Sequence, residues 1–87
     1  MDIVDTIKAR AASNGDYETQ AEIAQELKRT LRTGLSWDRV HAYEAEALDM
    51  IAHKLARIVN GDPHFHDHWH DIQGYAKLAA DRNAVQS

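Results

Sequence analysis

The sequence predicts an all-α protein in which four helices form a compact antiparallel bundle and a long third helix pairs with the fourth. Apolar residues recur at steps of three and four along most of the chain, and no stretch alternates long enough for a strand. Turn-forming residues at 13–16, around Gly34 and at 60–63 separate the periodic stretches. Because the chain has only 87 residues, we expect one helical domain.

The first two helices are expected at about residues 2–12 and 17–33. Asp2 is the candidate N-cap of the first helix, and Thr19 with Glu22 has the spacing of a capping box near the start of the second. Each helix has one apolar side. These sides consist of Ile3, Val4, Ile7 and Ala11 in the first helix, and of Ile23, Ala24, Leu27 and Leu31 in the second.

The third helix is expected at about residues 38–60, with Ser36 as a cap and Asn60-Gly61 as the stop signal. Its apolar positions approach a heptad spacing, which favours packing along one seam. These positions are Val40, Tyr43, Ala47, Met50, Ile51, Leu55 and Ile58.

The fourth helix is expected at about residues 63–82, with Asp62 as N-cap and Pro63 as the first helical residue. Residues 83–87 are expected to be a frayed tail. Gly74 inside this helix predicts the close approach of another helix or a ligand, since glycine otherwise weakens a helix. The expected buried face comprises Phe65, Trp69, Ile72, Ala76 and Ala79.

Composition narrows the class of protein. Fourteen acidic residues against ten basic ones give a formal charge of −4, which argues against non-specific binding to nucleic acid. The absence of cysteine excludes disulfides and thiolate metal sites. We find no signal-peptide pattern and no membrane-spanning apolar run, and therefore expect a soluble, cytoplasmic protein. A chain of this length has a marginal core, which makes self-association an expectation as well.

The segment GDPHFHDHWHDIQGYA at residues 61–76 contains four histidines and three aspartates. On a helix His66 and His70 lie one turn apart and offer two ligands for Zn²⁺ or Ni²⁺, but such a site needs a third ligand. The alternative is a solvated first turn, in which Asp67 interacts with the helix dipole.

A polar stripe follows one side of the third helix, with Glu46, Asp49, His53 and Arg57 at successive steps of three and four and Lys54 beside it. Three interpretations stay open. The stripe is a solvated face, its cations pair with aspartates of the fourth helix across a short hairpin, or its carboxylates join those aspartates around a hard cation. The candidate binding residues are Lys54, Arg57, Asp67, Asp71 and Tyr75, and the candidate metal ligands are Glu46, Asp49, Asp67 and Asp71.

Two segments carry a resemblance to a known family. EALDMIAHKLARIVNGDPHFHDHWHDIQGYAKLAADR resembles the C-terminal signature of a small phage- and prophage-encoded domain of unknown function, and NGDYETQAEIAQEL resembles its upstream segment. The resemblance covers about residues 15–82. It implies a helical fold and a phage or prophage origin, and hence a host-cell cytoplasm as the site of action.

A looser resemblance is to the all-α MazG-type nucleoside triphosphate pyrophosphohydrolases. That family places Glu-x-x-Glu on one helix and Glu-x-x-Asp on the next to hold Mg²⁺ against a triphosphate. Glu46 and Asp49 match the first pair in type and spacing, whereas Asp67 and Asp71 stand four apart and depart from the second. The resemblance implies Mg²⁺ as cofactor, with Lys54 or Arg57 on phosphate.

Three functions follow as hypotheses. The first is a non-enzymatic binding protein of phage type that acts through protein–protein contacts, as a counter-defence or host-modulating factor. The second is a Mg²⁺-dependent nucleotide pyrophosphohydrolase. The third is a nucleotide- or metabolite-binding module without turnover, which would use Arg57, Asp71 and Tyr75.

Overall fold

The computed structural model describes residues 3–86, and these residues form four α-helices. The helices are Ile3–Asn14 (α1), Tyr17–Leu31 (α2), Ala42–Asn60 (α3) and His66–Gln86 (α4), with a short 3-10 turn at Trp37–Arg39. Within residues 3–86 there is no β-strand, and no helix there has both the length and the apolar character needed to cross a bilayer. α3 packs most extensively against α4, so the predicted all-α bundle and its predicted helix pairing are confirmed.

The turn between α1 and α2 is closed by Asp16, which is the N-cap of α2. Its carboxylate accepts a hydrogen bond from the backbone N–H of Thr19 at 2.8 Å, as N-cap side chains do. The expected capping role of Thr19 and Glu22 is therefore wrong, because the cap lies three residues before Thr19. The expected cap of the first helix, Asp2, lies outside the described residues.

The connection between α2 and α3 is longer than predicted. Val40 and His41 have extended backbones, so the helix cannot begin near residue 38 and starts at Ala42 instead. The carboxylate of Glu44 accepts a hydrogen bond from the His41 backbone N–H at 2.9 Å, which satisfies one free donor at this helix start. Ser36 precedes only the 3-10 turn, and its side chain makes no capping hydrogen bond there.

The segment before α4 forms a turn, and the helix begins at His66, three residues later than predicted. The carboxylate of Asp62 accepts from the His64 N–H at 2.9 Å, and the Asp62 carbonyl accepts from the Phe65 N–H at 3.2 Å. Asp62 therefore stabilises a turn that contains Pro63. α4 continues to Gln86, so residues 83–86 are helical and the prediction of a frayed tail is wrong for them. Ser87 lies outside the described residues.

The buried side of α4 is rotated by about one residue from the predicted one. His68 is buried, whereas Trp69 is 51% exposed and donates its indole N–H to the Pro63 carbonyl at 2.9 Å. Phe65 and Ala76, both expected in the core, are exposed as well, and only Ile72 and Ala79 of the predicted face are half-buried. No other helix of residues 3–86 approaches Gly74, since a Cβ there would meet nothing within 4 Å. Of the two alternatives for this glycine, the close approach of a helix is therefore wrong, and the approach of a ligand stays a prediction.

The core of residues 3–86 is small, and α1 contributes nothing to it. α1 has no buried residue; its predicted apolar side is exposed, with Ile3 at 73% and Ile7 at 61%. The buried apolar side chains lie on α2 and α3 and are mostly alanines, which let helices approach closely. They are Ala24, Ala47, Ala52, Ala56 and Ile58.

Candidate functional site

Two Asn-Gly-Asp turns, at residues 14–16 and 60–62, pack against each other and bring the ends of all four helices together. The Asn60 side-chain amide donates to the carbonyls of Asn14 at 3.1 Å and Asp16 at 3.0 Å. The Asp62 backbone N–H donates to the Ser13 carbonyl at 3.0 Å. We refer to this contact between residues 13–16 and 60–62 as the turn junction.

Each turn contains a glycine because the two backbones are in direct contact. Gly15 has a φ of +78°, and a Cβ on it would lie 2.2 Å from the Asn60 carbonyl oxygen. A Cβ on Gly61 would lie 2.2 Å from the Ser13 carbonyl oxygen. A larger residue at either position would push the two turns apart.

His68 lies beneath the turn junction, where its ring hydrogen-bonds the Ser13 backbone and meets the edge of Phe65 with centroids 4.9 Å apart. Its Nε2 is buried without a hydrogen-bond partner among the described residues. Burial lowers the pKa of His68, and the nearby cations Lys54 and Arg57 lower that pKa further. The imidazole is therefore held neutral at pH 7, and the expectation that the histidines of this segment are solvated does not apply to His68.

A groove of about 470 Å³ opens beside the turn junction, between α1 and the start of α2. We call it the α1 groove. Its apolar residues belong to α1 and to the exposed Tyr17, and its polar residues include the buried side chain of Gln20. The lining residues are Ile7, Arg10, Ala11, Asn14, Gly15, Asp16, Tyr17, Gln20 and Arg57.

Arg57, a predicted binding residue, reaches this groove from α3. Its Nε is buried and makes no hydrogen bond within residues 3–86. A buried guanidinium N–H without an acceptor is costly. A guanidinium group at the wall of a groove can bind a carboxylate or phosphate, whereas the buried Nε itself lies out of reach of a ligand in the groove. The α1 groove thus places a cationic side chain next to apolar side chains.

Lys54 and Asp71, two further predicted binding residues, form an ion pair across α3 and α4 at 3.0 Å. The Lys54 side chain is only 12% exposed, whereas that of Asp71 is 41% exposed. The hydrogen bond from Lys54 lowers the pKa of Asp71. The predicted hairpin pairing is therefore observed for this lysine and this aspartate, and it occupies the Asp71 carboxylate.

Asp49, a predicted metal ligand, is engaged by α2. Arg32 donates to both of its carboxylate oxygens at 2.9 Å, and this bidentate bond lowers the pKa of Asp49. The same guanidinium stacks on Trp37, with its carbon 4.5 Å from the ring centroid. One turn further, the His53 ring nitrogen lies 3.1 Å from Lys28 Nζ. This part of the polar stripe therefore faces α2. Both the prediction that it is solvated and the prediction that it pairs with the fourth helix are wrong for Asp49 and His53.

Glu46 and Tyr75, predicted as a metal ligand and a binding residue, line one groove between α3 and α4. We call it the α3–α4 groove; it has a volume of about 370 Å³, and Arg82 and Tyr43 also line it. Tyr43 hydrogen-bonds Asn83 at this end of the helix pair. Glu46 itself makes no hydrogen bond or ion pair with the described residues.

Asp67, the remaining predicted residue, is exposed in the first turn of α4. His66 and His70, one turn apart, have stacked rings with centroids 5.7 Å apart. Across residues 3–86 no group of three or more His, Cys, Asp or Glu side chains is placed to hold a metal ion. Within the described chain, the four carboxylates predicted as ligands therefore stay in separate environments.

The fold and these sites define a small all-α domain whose helix ends are tied together by two interlocking turns. The chain belongs to the family described as "Domain of unknown function (DUF6378)", whose model matches residues 3–83. No curated protein and no solved structure matches the chain.

The sequence did not reveal the contacts that Asn60 and the two turn glycines make in the turn junction, nor the burial of His68 and Gln20 near it. One signal was available, since the tripeptide Asn-Gly-Asp occurs at both 14–16 and 60–62. Both copies were interpreted as local turns. Nothing in a local pattern reveals that two turns 46 positions apart hydrogen-bond to each other.

Proposed function

We propose that the chain is a small non-enzymatic binding protein that acts through contact with a partner protein, and that the α1 groove is its docking site. The observation that carries this proposal is that Arg57, whose Nε has no acceptor within residues 3–86, lines the groove beside the exposed apolar side chains of Ile7 and Tyr17. A binding surface that joins a desolvated arginine to apolar side chains matches the composition of interaction hot spots.

The chemistry of the groove indicates the kind of segment that it would bind. Ile7 and Tyr17 offer apolar contact area, and Arg10 and Arg57 offer two guanidinium groups. An apolar side chain followed within one helical turn by an Asp or Glu satisfies both requirements. The partner is therefore expected to present an amphipathic, acidic helix or a similar extended segment.

The proposal also includes a biological setting, a phage or prophage origin and a role inside the host cell. The resemblance of residues 15–82 to a phage- and prophage-encoded domain supports a phage or prophage origin. A small acidic protein can act in a host cytoplasm by binding a host or phage protein and blocking its contacts. This supports a counter-defence or host-modulating role.

The test compares the proteins captured by the wild type with those captured by two variants. Ile7→Asp places a charge on the exposed wall of the groove, and Arg57→Gln removes the guanidinium. Leu35→Asp is the matched control, because Leu35 is fully exposed outside the groove. A partner retained by the wild type and the control but lost by both groove variants, with its affinity then measured in purified form, supports the proposal. Equal affinity of that partner for the wild type and Ile7→Asp would overturn it.

A second candidate is a Mg²⁺-dependent nucleotide pyrophosphohydrolase, and one observation favours it. Glu46, with no partner among the described residues, shares the α3–α4 groove with Tyr75 and Arg82. A free carboxylate, a phenol and a guanidinium together could bind a Mg²⁺–phosphate group and a base. The looser resemblance to MazG-type enzymes supports the same residue, Glu46.

The second candidate is tested with nucleoside triphosphates and Mg²⁺ by measuring pyrophosphate release and thermal shift together. Product formation that Glu46→Gln abolishes, and that the control Glu26→Gln keeps, supports a hydrolase. A saturable shift without product supports a nucleotide-binding module without turnover. No shift and no product would leave the protein-binding proposal alone.

A further inference from the structure

One side of α3 has a continuous apolar row that the other helices leave partly uncovered. Leu48, Ile51, Leu55 and Val59 follow one another at steps of three and four and therefore share one side of the helix. Leu55 is 39% exposed and Val59 is 70% exposed, and the other two are half-buried. The helices α2 and α4 contact other sides of α3, through Asp49 and Lys54 among others.

α4 contributes a second row next to the first. Trp69, Ile72, Ala76 and Asn83 share one side of α4 by their spacing. Asn83 donates to Glu44 at 3.0 Å, and Glu44 continues the α3 row by one turn. The two rows therefore lie side by side, and Trp69 is level with the segment between Leu55 and Val59.

We call the combined surface the α3–α4 apolar face. It consists of Leu48, Ile51, Leu55, Val59, Trp69, Ile72 and Ala76. None of these side chains is charged, although 28% of the chain is Asp, Glu, Lys or Arg. An exposed apolar surface of this kind marks an interaction site.

The accessible surface of the chain is larger than that expected for a monomer of its mass, and the excess indicates the area that a partner would cover. The accessible surface is 6319 Å², whereas a monomer of 9.8 kDa is expected to expose about 5,200 Å². The radius of gyration is 14.8 Å, against about 12 Å for a compact chain of this length. The excess of about 1,100 Å² is comparable to the roughly 800 Å² that each partner buries in a standard interface.

We infer that a second copy of this chain covers the α3–α4 apolar face, forming a two-fold homodimer. No large side chain within residues 3–86 is fully buried, so a single chain lacks the core that a stable domain needs. The partner that covers the α3–α4 apolar face must be present whenever the chain is folded. A second copy of the chain meets this requirement. An uncharged face also lets two chains of formal charge −4 approach without repulsion at the contact.

This inference is independent of the proposed function, since the α1 groove lies on other residues. In the dimer the α3–α4 pairs of the two chains pack face to face as a four-helix bundle, a common arrangement for antiparallel helix pairs. The polar side of each pair, with the Lys54–Asp71 ion pair, points away from the contact.

The first experiment measures the molar mass of the full chain by light scattering across micromolar to millimolar concentrations. The wild type is expected at twice 9.8 kDa, and Leu55→Glu at the mass of one chain. Leu78→Glu is the matched control, because Leu78 is an exposed leucine on the opposite side of α4; it is expected to stay dimeric. A monomeric wild type at every concentration, or a dimer that Leu55→Glu leaves intact, would overturn the inference.

A second measurement covers the case in which Leu55→Glu fails to fold. Because the chain has no cysteine, Val59→Cys introduces a single thiol into the face, and Leu78→Cys introduces one outside it. The Val59→Cys thiol is expected to react slowly with a thiol reagent at high protein concentration and faster on dilution. The Leu78→Cys thiol is expected to react equally at both concentrations. If both thiols reacted at the same rate at every protein concentration, the α3–α4 apolar face would not be the dimer contact.

Discussion

Asn60 donates a hydrogen bond from its side-chain amide to the backbone carbonyl of Asn14, 46 positions earlier in the chain. A second bond from the same amide reaches the Asp16 carbonyl at 3.0 Å. One side chain thus satisfies two carbonyls of the opposite turn, which links the α1–α2 connection to the α3–α4 connection.

Replacement of Asn60 by alanine is expected to lower the free energy of unfolding by about 1–2 kcal/mol, because it removes two hydrogen bonds. One is to the part-buried Asn14 carbonyl, and the other is to the exposed Asp16 carbonyl, which also accepts from the Gln20 backbone N–H. Urea denaturation followed by circular dichroism measures this loss. Gln73→Ala, an exposed amide on α4, is the control and is expected to change stability little. Equal stability of the two variants would show that the junction does not hold the turns together.

Two glycine-to-alanine substitutions are expected to have opposite effects. Gly15→Ala places a Cβ 2.2 Å from the Asn60 carbonyl oxygen at a positive φ, and should destabilise the fold by more than about 1 kcal/mol. Gly74→Ala meets no atom within 4 Å inside α4 and should stabilise the fold by about 0.5–1 kcal/mol. Thermal melts of both variants measure the difference. Destabilisation by Gly74→Ala would mean that its helix face is covered in solution.

The Lys54–Asp71 ion pair predicts a pH-dependent contribution to stability. The pKa of Asp71 is lowered in the folded chain, so its contribution is fully present above the unfolded pKa of about 3.9 and is lost as pH falls through the folded pKa. Asp71→Asn should therefore melt at a lower temperature than the wild type near neutral pH. The gap should narrow below about pH 4. A gap that stays constant down to the lowest measurable pH would exclude the ion pair as its cause.

His68 also predicts a loss of stability as pH falls, but in a higher pH range. Its pKa is lowered by burial, so below about pH 6.5 the unfolded chain takes up a proton that the folded chain accepts only at lower pH. The free energy of unfolding should fall as pH drops below about 6.5. In His68→Gln this fall should be shallower. Burial also lowers the pKa of His53. His53→Gln therefore serves as a comparison, since it removes the contribution of His53 to the same pH-dependent loss of stability.

The His68 prediction is checked directly by an NMR titration of its imidazole. A midpoint below the ordinary value of about 6.5 is expected. A midpoint at or above that value would mean that the ring is solvated or paired with a carboxylate in solution.

The helices and their pairing could be predicted from the sequence because they depend on local signals. The spacing of Ala24, Leu27 and Leu31 indicated the side of α2 that faces the bundle, and Asn60-Gly61 indicated where α3 ends. A pairing of Lys54 or Arg57 with Asp67 or Asp71 across a short hairpin was one of three interpretations that helix geometry left open, and the structure shows it for Lys54 and Asp71. Such inferences need only the rise and period of a helix.

The rotation of α4 could not be predicted in this way. Hydrophobic periodicity favours Trp69 as the buried residue, but the long-range hydrogen bond between His68 and the Ser13 backbone competes with it. Trp69 in turn bonds the Pro63 carbonyl from a half-exposed position. Asp49 was misjudged for a similar reason, since its partner Arg32 belongs to another helix. Contacts between distant segments decide both cases.

The exposed connection after α2 has a practical consequence. Arg32 at the end of α2 is bound to Asp49 in α3 and stacked on Trp37, and both partners follow Gly34 in sequence. Leu35 between them is fully exposed. The two halves of the domain thus recognise each other through their own side chains, with the turn junction at one end and Arg32 at the other. A chain divided after Gly34 should reassemble from its two pieces, which makes this domain a candidate for a split-protein complementation pair.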